Sequence, residues 1–426
     1  MSQLDNKIEL IETRDERVRL GTTENRGRFH HYAGVAEQPG IEWIGTIEGP
    51  FDQKSLDRID ALIVSCDQHP PTRLAFVACK QLGIPTFHVL DGVIDWRTTF
   101  LNPKFDLAHG GVPLFQPLIA DCVFTMGILQ KWELQWLGNV SVNATGFPRF
   151  DLLERHQCRR GKPTGQARVL VATANSPWVT DEQKARVISE FTHLHQALHA
   201  KTFEGIAVKI IWRISDELAL ELGVTNCREG SAVEALGRCD AVITTPSTFA
   251  IEAMLTGLPT MIYDPFALPV FTPSAWQATS WETVIQLLPS LLRPGEPLAA
   301  YQDQILMLLV MPHRHAAGTI SQIIQKVVHS RKHTGERGEG LANGGEASLL
   351  DPLKGPFAGS RWSPEQMGSL QATISVLDKT IAKLAQEYKS LQESHQNPTP
   401  RFVAGTIVRY MKGAYFKSNV KRDVPQ

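Results

Sequence analysis

Short apolar runs, each followed by a longer amphipathic stretch, recur along this chain in two successive series. That alternation is the pattern of parallel strands joined by crossover helices, and it leaves few other folds open. The first series places strands at 41–47, 61–66, 85–90, 121–126 and 140–145, with helices at 72–82 and 128–137. Gly83 and Gly138 close those two helices where a left-handed cap is wanted. The stretch 154–166 is polar, basic and broken by Gly and Pro, and reads as a linker. The second series gives strands at 168–173, 207–212, 241–245 and 259–263, and helices near 181–199, 231–238, 248–256 and 281–292. The expected fold class is α/β: two doubly wound, Rossmann-like domains, 1–155 and 166–330, facing a cleft at the carboxyl ends of their strands.

With 426 residues there is chain for two such domains and a remainder. Lys plus Arg (43) balances Asp plus Glu (44), so no global field exists to hold nucleic acid by counterion release, and none is expected as a partner. The six cysteines include no C-x-x-C pair, which argues against a zinc site or a disulfide scaffold and for reduced thiols in a cytoplasmic setting. No charged n-region leads into an apolar core at the start, and no run of 18 apolar residues occurs, so neither a secretory signal nor a membrane span is expected.

The remainder begins with a glycine-rich tether at 331–360. Beyond it Met367, Leu370, Ile374, Leu377, Ile381, Leu384, Tyr388 and Leu391 alternate at spacings of three and four, a heptad seam on a helix at 361–395. Ser363, Pro364 and Gln366 stand where an N-cap, a first-turn proline and a capping-box partner belong. The seam reads as a homo-oligomer contact through 364–392, or as a helix docking on the body of the protein or on another protein. The last segment, 396–426, interleaves basic and aromatic side chains. It reads as a peripheral contact with an anionic membrane surface, or as a solvated tail.

The strongest chemical pattern lies at 240–260. An apolar strand ends at Thr245, a Pro246-Ser247-Thr248 turn follows, and a helix begins that Gly257 and Pro259 close. The free amides of such a helix N-terminus, with the hydroxyls of Ser247 and Thr248, suit a phosphate or diphosphate. Glu252, one turn inside, can accept from a ribose hydroxyl. The plainer reading makes Ser247 or Thr248 a helix cap and Glu252 an exposed helical residue.

The arrangement Ser247-Thr248, Glu252-Ala253, Gly257-Leu258-Pro259 resembles the donor-site helix of GT-B glycosyltransferases. Gly146-Phe147-Pro148-Arg149-Phe150-Asp151 is similar to the G-x-P-R-x-D that ends the acceptor domain of CDP-glycerol glycerophosphotransferases and related surface-polysaccharide enzymes. Residues 171–178 look like the first strand and loop of the donor domain in the same group. The resemblance spans about residues 60–330 in the right order. It implies a transferase that moves a sugar or a polyol phosphate from a nucleotide-activated donor to a hydroxyl of a glycan or lipid-linked acceptor, on the inner face of a membrane.

Those relatives carry a His-Gly turn after a strand of the acceptor domain, and the histidine serves as base. The corresponding turn here is Asp91-Gly92, which makes Asp91 the candidate base and Asp95 the second choice. The relatives' His-Pro pair at the donor phosphates is replaced by Trp212-Arg213, so Arg213 is the substitute cation, or a surface arginine. Asn175 and Ser176 can hydrogen-bond phosphate or sugar, though Asn-Ser-Pro is also ordinary turn chemistry. No D-x-D stands in a suitable loop, so metal-independent catalysis is expected, with no cofactor besides the donor. His30-His31 and His313-Arg314-His315 lack the partners of a metal centre and read as exposed polar residues. His109-Gly110-Gly111 reads as an acceptor-side loop. The missing G-x-S-x-G, Walker A and G-x-G-x-x-G motifs argue against hydrolase, ATPase and dinucleotide chemistry. Two rivals remain: a nucleotide-sugar epimerase of the same architecture, and a catalytically silent nucleotide-binding scaffold.

Overall fold

A computed structural model describes residues 17–334, except 50, 68, 104–113, 116–117, 136–139, 152, 154–164, 200–201, 229, 267–271 and 311–314. The described residues lie in one compact unit, Met1–Ser369. The heptad segment, the basic tail, His109-Gly110-Gly111, Gly138, Cys158, His313 and Arg314 lie outside them.

The first series folds as β1 (Val18–Thr22), α1 (Arg26–Phe29), α2 (Ala33–Ala36), β2 (Ile41–Thr46), α3 (Gln53–Leu56), β3 (Ala61–Val64), α4 (Pro70–Gln81), β4 (Thr86–Val89), α5 (Trp96–Phe100), β5 (Cys122–Thr125), α6 (Ile128–Gln135) and β6 (Ser141–Ala144). A 3-10 turn, Pro148–Phe150, follows. The strands form one parallel sheet in the order β2-β1-β3-β4-β5-β6. The chain first steps to one side of β1 and then to the other, so the switch point lies between β1 and β3.

Strand β1 falls outside the runs expected from the sequence, because Arg19 interrupts it. Its charge is matched by Asp60, whose carboxylate accepts from the Arg19 backbone N–H at 3.0 Å and from Nε and Nη2 of one guanidinium edge, each at 3.1 Å. Burial alone would raise the Asp60 carboxyl, but these bonds and nearby Lys332 outweigh it and hold it down to about 2.

The second series folds as β7 (Gln166–Ala172), α7 (Asp181–Leu198), β8 (Thr202–Phe203), β9 (Ile206–Arg213), α8 (Asp216–Leu222), α9 (Ala232–Leu236), β10 (Ala241–Thr244), α10 (Thr248–Leu255), β11 (Thr260–Tyr263), β12 (Trp276–Ala278), α11 (Trp281–Leu292), α12 (Glu296–Leu309) and α13 (Ala316–Thr334). Its sheet runs β12-β11-β10-β7-β9-β8, parallel except for the β8–β9 hairpin. The switch point is between β7 and β10.

The two sheets share a core. Ala250, Ile251 and Met254 of α10 and Ile305, Leu306 and Leu309 of α12 are buried with Phe124, Met126 and Phe147 of the first lobe. Helix α13 crosses back and buries Ala317, Ile320, Ile324 and Val328 in that same core. It runs to Thr334, past the residue 331 at which the sequence places the start of the tether. Its last turns are tied to the first sheet: Lys332 lies 3.3 Å from Asp60 and Arg331 3.6 Å from Asp121. The cysteines among the described residues are free thiols.

Candidate active site

Because both sheets are parallel, every strand of a sheet, the β8 hairpin strand apart, delivers its following loop to the same edge. In the first lobe that edge carries Glu24 after β1, Ser65 and Asp67 after β3, and Asp91-Gly92-Val93 after β4. In the second it carries 173–178 after β7, Arg213 at the end of β9, and the start of α10 after β10.

The two edges touch at α10. The Val93 N–H donates to Thr248 Oγ1 at 3.1 Å. A methyl group placed on Gly92 would stand 2.6 Å from the same hydroxyl, so a larger residue fits there only if that hydroxyl turns away. Gln130 of α6 fixes this turn from behind: its Nε2 donates to the Gly92 carbonyl and its Oε1 accepts from Met126 N–H, both at 3.0 Å. One turn further along α10, Arg149 Nη2 is ion-paired with Glu252 Oε1. A third link joins Arg97 Nη1 to the Pro177 carbonyl.

Of the residues chosen from sequence, Ser247, Thr248, Glu252 and Asp91 gather here. Ser247 is the N-cap of α10 by backbone geometry, yet its side chain makes no capping bond, and the first turn contains no acidic residue. Thr248 spends its hydroxyl on the opposite lobe. Glu252 is only 7% exposed, so it is a buried, paired carboxylate and not a solvated one. Asp91 is exposed and accepts from Arg28 at 3.0 Å.

The other four are placed elsewhere or otherwise engaged. Asp95 is the N-cap of α5, accepting from the Arg97 and Thr98 N–H groups at 3.0 and 3.2 Å. The Arg213 guanidinium bonds the carbonyls of Cys227 and Gly230 at 3.2 and 3.4 Å. Asn175 and Ser176 are exposed on the loop after β7. Among the described residues no group of three or more His, Cys, Asp or Glu is disposed to hold a metal ion.

His31 corrects the sequence-based reading of His30-His31 as exposed. His30 is exposed, but His31 is 8% exposed and stacks on Phe147 with ring centroids 5.9 Å apart. Its Nδ1 is buried without a hydrogen-bond partner. Burial, then neighbouring His30, lowers its pKa to about 4 against the pull of Asp91, so the ring is neutral at pH 7. Glu24 is equally buried; it accepts from Ser65 N–H at 2.8 Å and from the Ser65 hydroxyl at 3.0 Å. Burial raises its carboxyl above the usual range despite those bonds and the nearby Arg28. Arg28, His31 and Glu24 escape a sequence reading because α1 and α2 are single turns without periodicity. Arg149 is the one partner that the motif at 146–151 spells out.

No protein-family model matches the chain, and no curated protein does. Solved structures do. A protein assigned as a UDP-N-acetylglucosamine 2-epimerase from Listeria monocytogenes superposes with a TM-score of 0.51 at 13% identity, covering 74% of this chain and 97% of its own. The S. aureus MnaA–UDP complex superposes at 0.50 and 11% identity, covering 75% and 97%. The chain has the GT-B fold. The wall teichoic acid polymerase TagF lies further off, with a TM-score of 0.47 at 10% identity over 75% of this chain and 91% of that one.

Proposed function

We propose that this GT-B chain is an enzyme acting on a nucleotide-activated sugar or polyol phosphate, and that it transfers that group to an acceptor hydroxyl of a surface glycan. The observation that carries the reading is the uncapped N-terminus of α10, held against the Asp91-Gly92-Val93 turn of the opposite lobe with Glu252 buried one turn inside.

The donor's phosphates lie at the amides of Thr248 and Phe249 and the hydroxyl of Ser247, and its ribose at Glu252. Asn175 and Ser176, exposed on the neighbouring loop, reach the far side of the donor, and Arg213, bonded to the carbonyls of Cys227 and Gly230, braces the backbone beside it. Asp91 takes the acceptor proton. The acceptor oxygen bonds to the transferred carbon or phosphorus, the bond to the nucleotide oxygen breaks, and the leaving phosphate keeps the electron pair. The α10 dipole stabilises its charge.

Epimerisation is the second reading, favoured by three titratable groups of different burial gathered around Arg28: exposed Asp91, buried neutral His31 and buried Glu24. Removal and return of a proton on a sugar carbon needs such a set.

Calorimetric titration with UDP, CDP, GDP and CMP tests the donor site, and absence of binding to all four rejects both readings. For the nucleotide that binds, turnover of its sugar or polyol conjugate is followed with and without acceptor. Asp91→Asn is expected to keep donor affinity and lose about a hundredfold or more in turnover. Turnover without acceptor-dependent product identifies the epimerase; binding without turnover, unchanged by Asp91→Asn, identifies a scaffold.

A further inference from the structure

We propose that Arg149, reaching across from the first lobe, is a binding residue for the donor's diphosphate, standing between that diphosphate and the ribose carboxylate Glu252. The proposal rests on the donor reading above.

Arg149 belongs to a 3-10 turn, and its guanidinium sits over Phe147 at 5.1 Å and Phe150 at 5.7 Å from the ring centroids. Two aromatic faces and one carboxylate fix its direction. The side chain is nevertheless 27% exposed, so a ligand can reach it. The ion pair is single-pronged, Nη2 to Oε1. A guanidinium carries further N–H donors in a planar fork, and a carboxylate has a second oxygen. Arg149 therefore keeps donors for a phosphate while Glu252 keeps Oε2 for a ribose hydroxyl.

Position along the helix completes the geometry. Glu252 lies four residues, or about 6 Å of helix rise, beyond Thr248. Helical side chains lean toward the N-terminus, so Glu252 and the guanidinium on it lie over the first turn of α10. The guanidinium thus stands beside the uncapped first turn of α10, which supplies no acid. His31 adds an independent mark. Nine-tenths buried, with Nδ1 unpartnered, it stacks on the same Phe147 ring that carries Arg149 and feels the charges of Arg149, Arg28 and Asp91. A buried nitrogen left open beside two cations is what an anionic or hydroxylic ligand would satisfy.

A nucleoside and its diphosphate differ only in the group Arg149 is proposed to hold. Calorimetry with uridine and UDP, cytidine and CDP, and guanosine and GDP is run on the wild type, Arg149→Gln and Arg149→Lys. For the base that the wild type binds, Arg149→Gln is expected to weaken the diphosphate by about tenfold to a hundredfold while the nucleoside changes less than about threefold. Arg149→Lys, which keeps the charge and loses the fork, should fall between, and it serves if the Gln variant does not fold. Equal weakening of nucleoside and diphosphate, or of neither, overturns the assignment and leaves the donor reading standing. A wild type that binds no diphosphate sinks this assignment, and one that also fails to bind CMP sinks the donor reading with it.

Discussion

A histidine ring packed against an aromatic loses the hydration that its charged form needs, and His31 shows the consequence as a pKa of about 4. An unfolded histidine titrates near about 6.5. Between those values the unfolded chain takes up a proton that the folded one refuses, so stability falls as pH drops through this window. At pH 5 the loss is about 2 kcal/mol. His31→Asn cannot titrate, so its unfolding free energy, compared with wild type by urea denaturation, should improve by about that amount on going from pH 7 to pH 5. Parallel pH curves would show a ring that titrates as in water. Glu133 gives the opposite sign. Its Oε2 is buried without a partner, and burial pushes the carboxyl up to about 7. The folded state then holds a proton that the unfolded chain has released, so stability is full at low pH and declines as pH rises through 7. Glu133→Gln should gain about 1–2 kcal/mol relative to wild type at pH 8 over pH 5, the figure allowing for its partial exposure.

Elements meet through glycines at two places where a methyl group has no room. At Gly92 the obstacle is the Thr248 hydroxyl, 2.6 Å from the added carbon, which can rotate away at the loss of its bond from Val93. At Gly127, just before α6, it is the backbone of Leu308 and Leu309 at the end of α12, 2.4–2.6 Å away, which cannot. Gly127→Ala should therefore destabilise the fold by about 2–3 kcal/mol. Gly92→Ala should cost about 1 kcal/mol and be largely rescued by Thr248→Ala, with a coupling of at least about 0.5 kcal/mol in a double-mutant cycle of denaturation midpoints. Additive effects would mean that turn and helix do not meet. Periodicity made α4, α7, α10, α11 and nine strands legible, and they lie where the apolar pattern puts them, whereas the fourteen-residue α12 and the seven-residue α8 went unread. What escaped are elements whose residues answer to tertiary partners. Strand β1 hides behind an arginine matched by Asp60, β12 is three residues long, and α1, α2 and α5 are single turns. The site divides the same way. Its second-lobe half is written locally at 246–252, whereas its first-lobe half draws Glu24, Arg28, His31 and Arg149 from turns that only the fold brings together.

For the molecule as a whole, the return of α13 makes the first lobe depend on the last of the described helices. Asp151 marks the crossing: its two oxygens accept the N–H groups of Ala316 and Ala317, each at 2.9 Å, at the start of α13. Arg149 in the same motif grips α10, so six consecutive residues, 146–151, tie α10 and the returning helix to the first lobe. A carboxylate at a helix start contributes through both hydrogen bonds and the dipole, and Asp151→Ala should cost about 1–2 kcal/mol, read as a lower denaturation midpoint with an unchanged slope. The same crossing decides how the heptad segment can be tested. A chain cut at residue 331 would lose the final turn of α13 with Lys332 and its contact to Asp60, so loss of structure would be mistaken for loss of assembly. Substitution within the full chain avoids that. Leu377→Asp with Leu384→Asp places charges at two equivalent positions, one heptad apart, on a seam four heptads long, and both lie outside the described residues. If 364–392 is an oligomer contact, light scattering should give a smaller particle, with the nucleotide affinity of the wild type retained. An unchanged mass would assign the seam to docking on the body of the protein or on another protein.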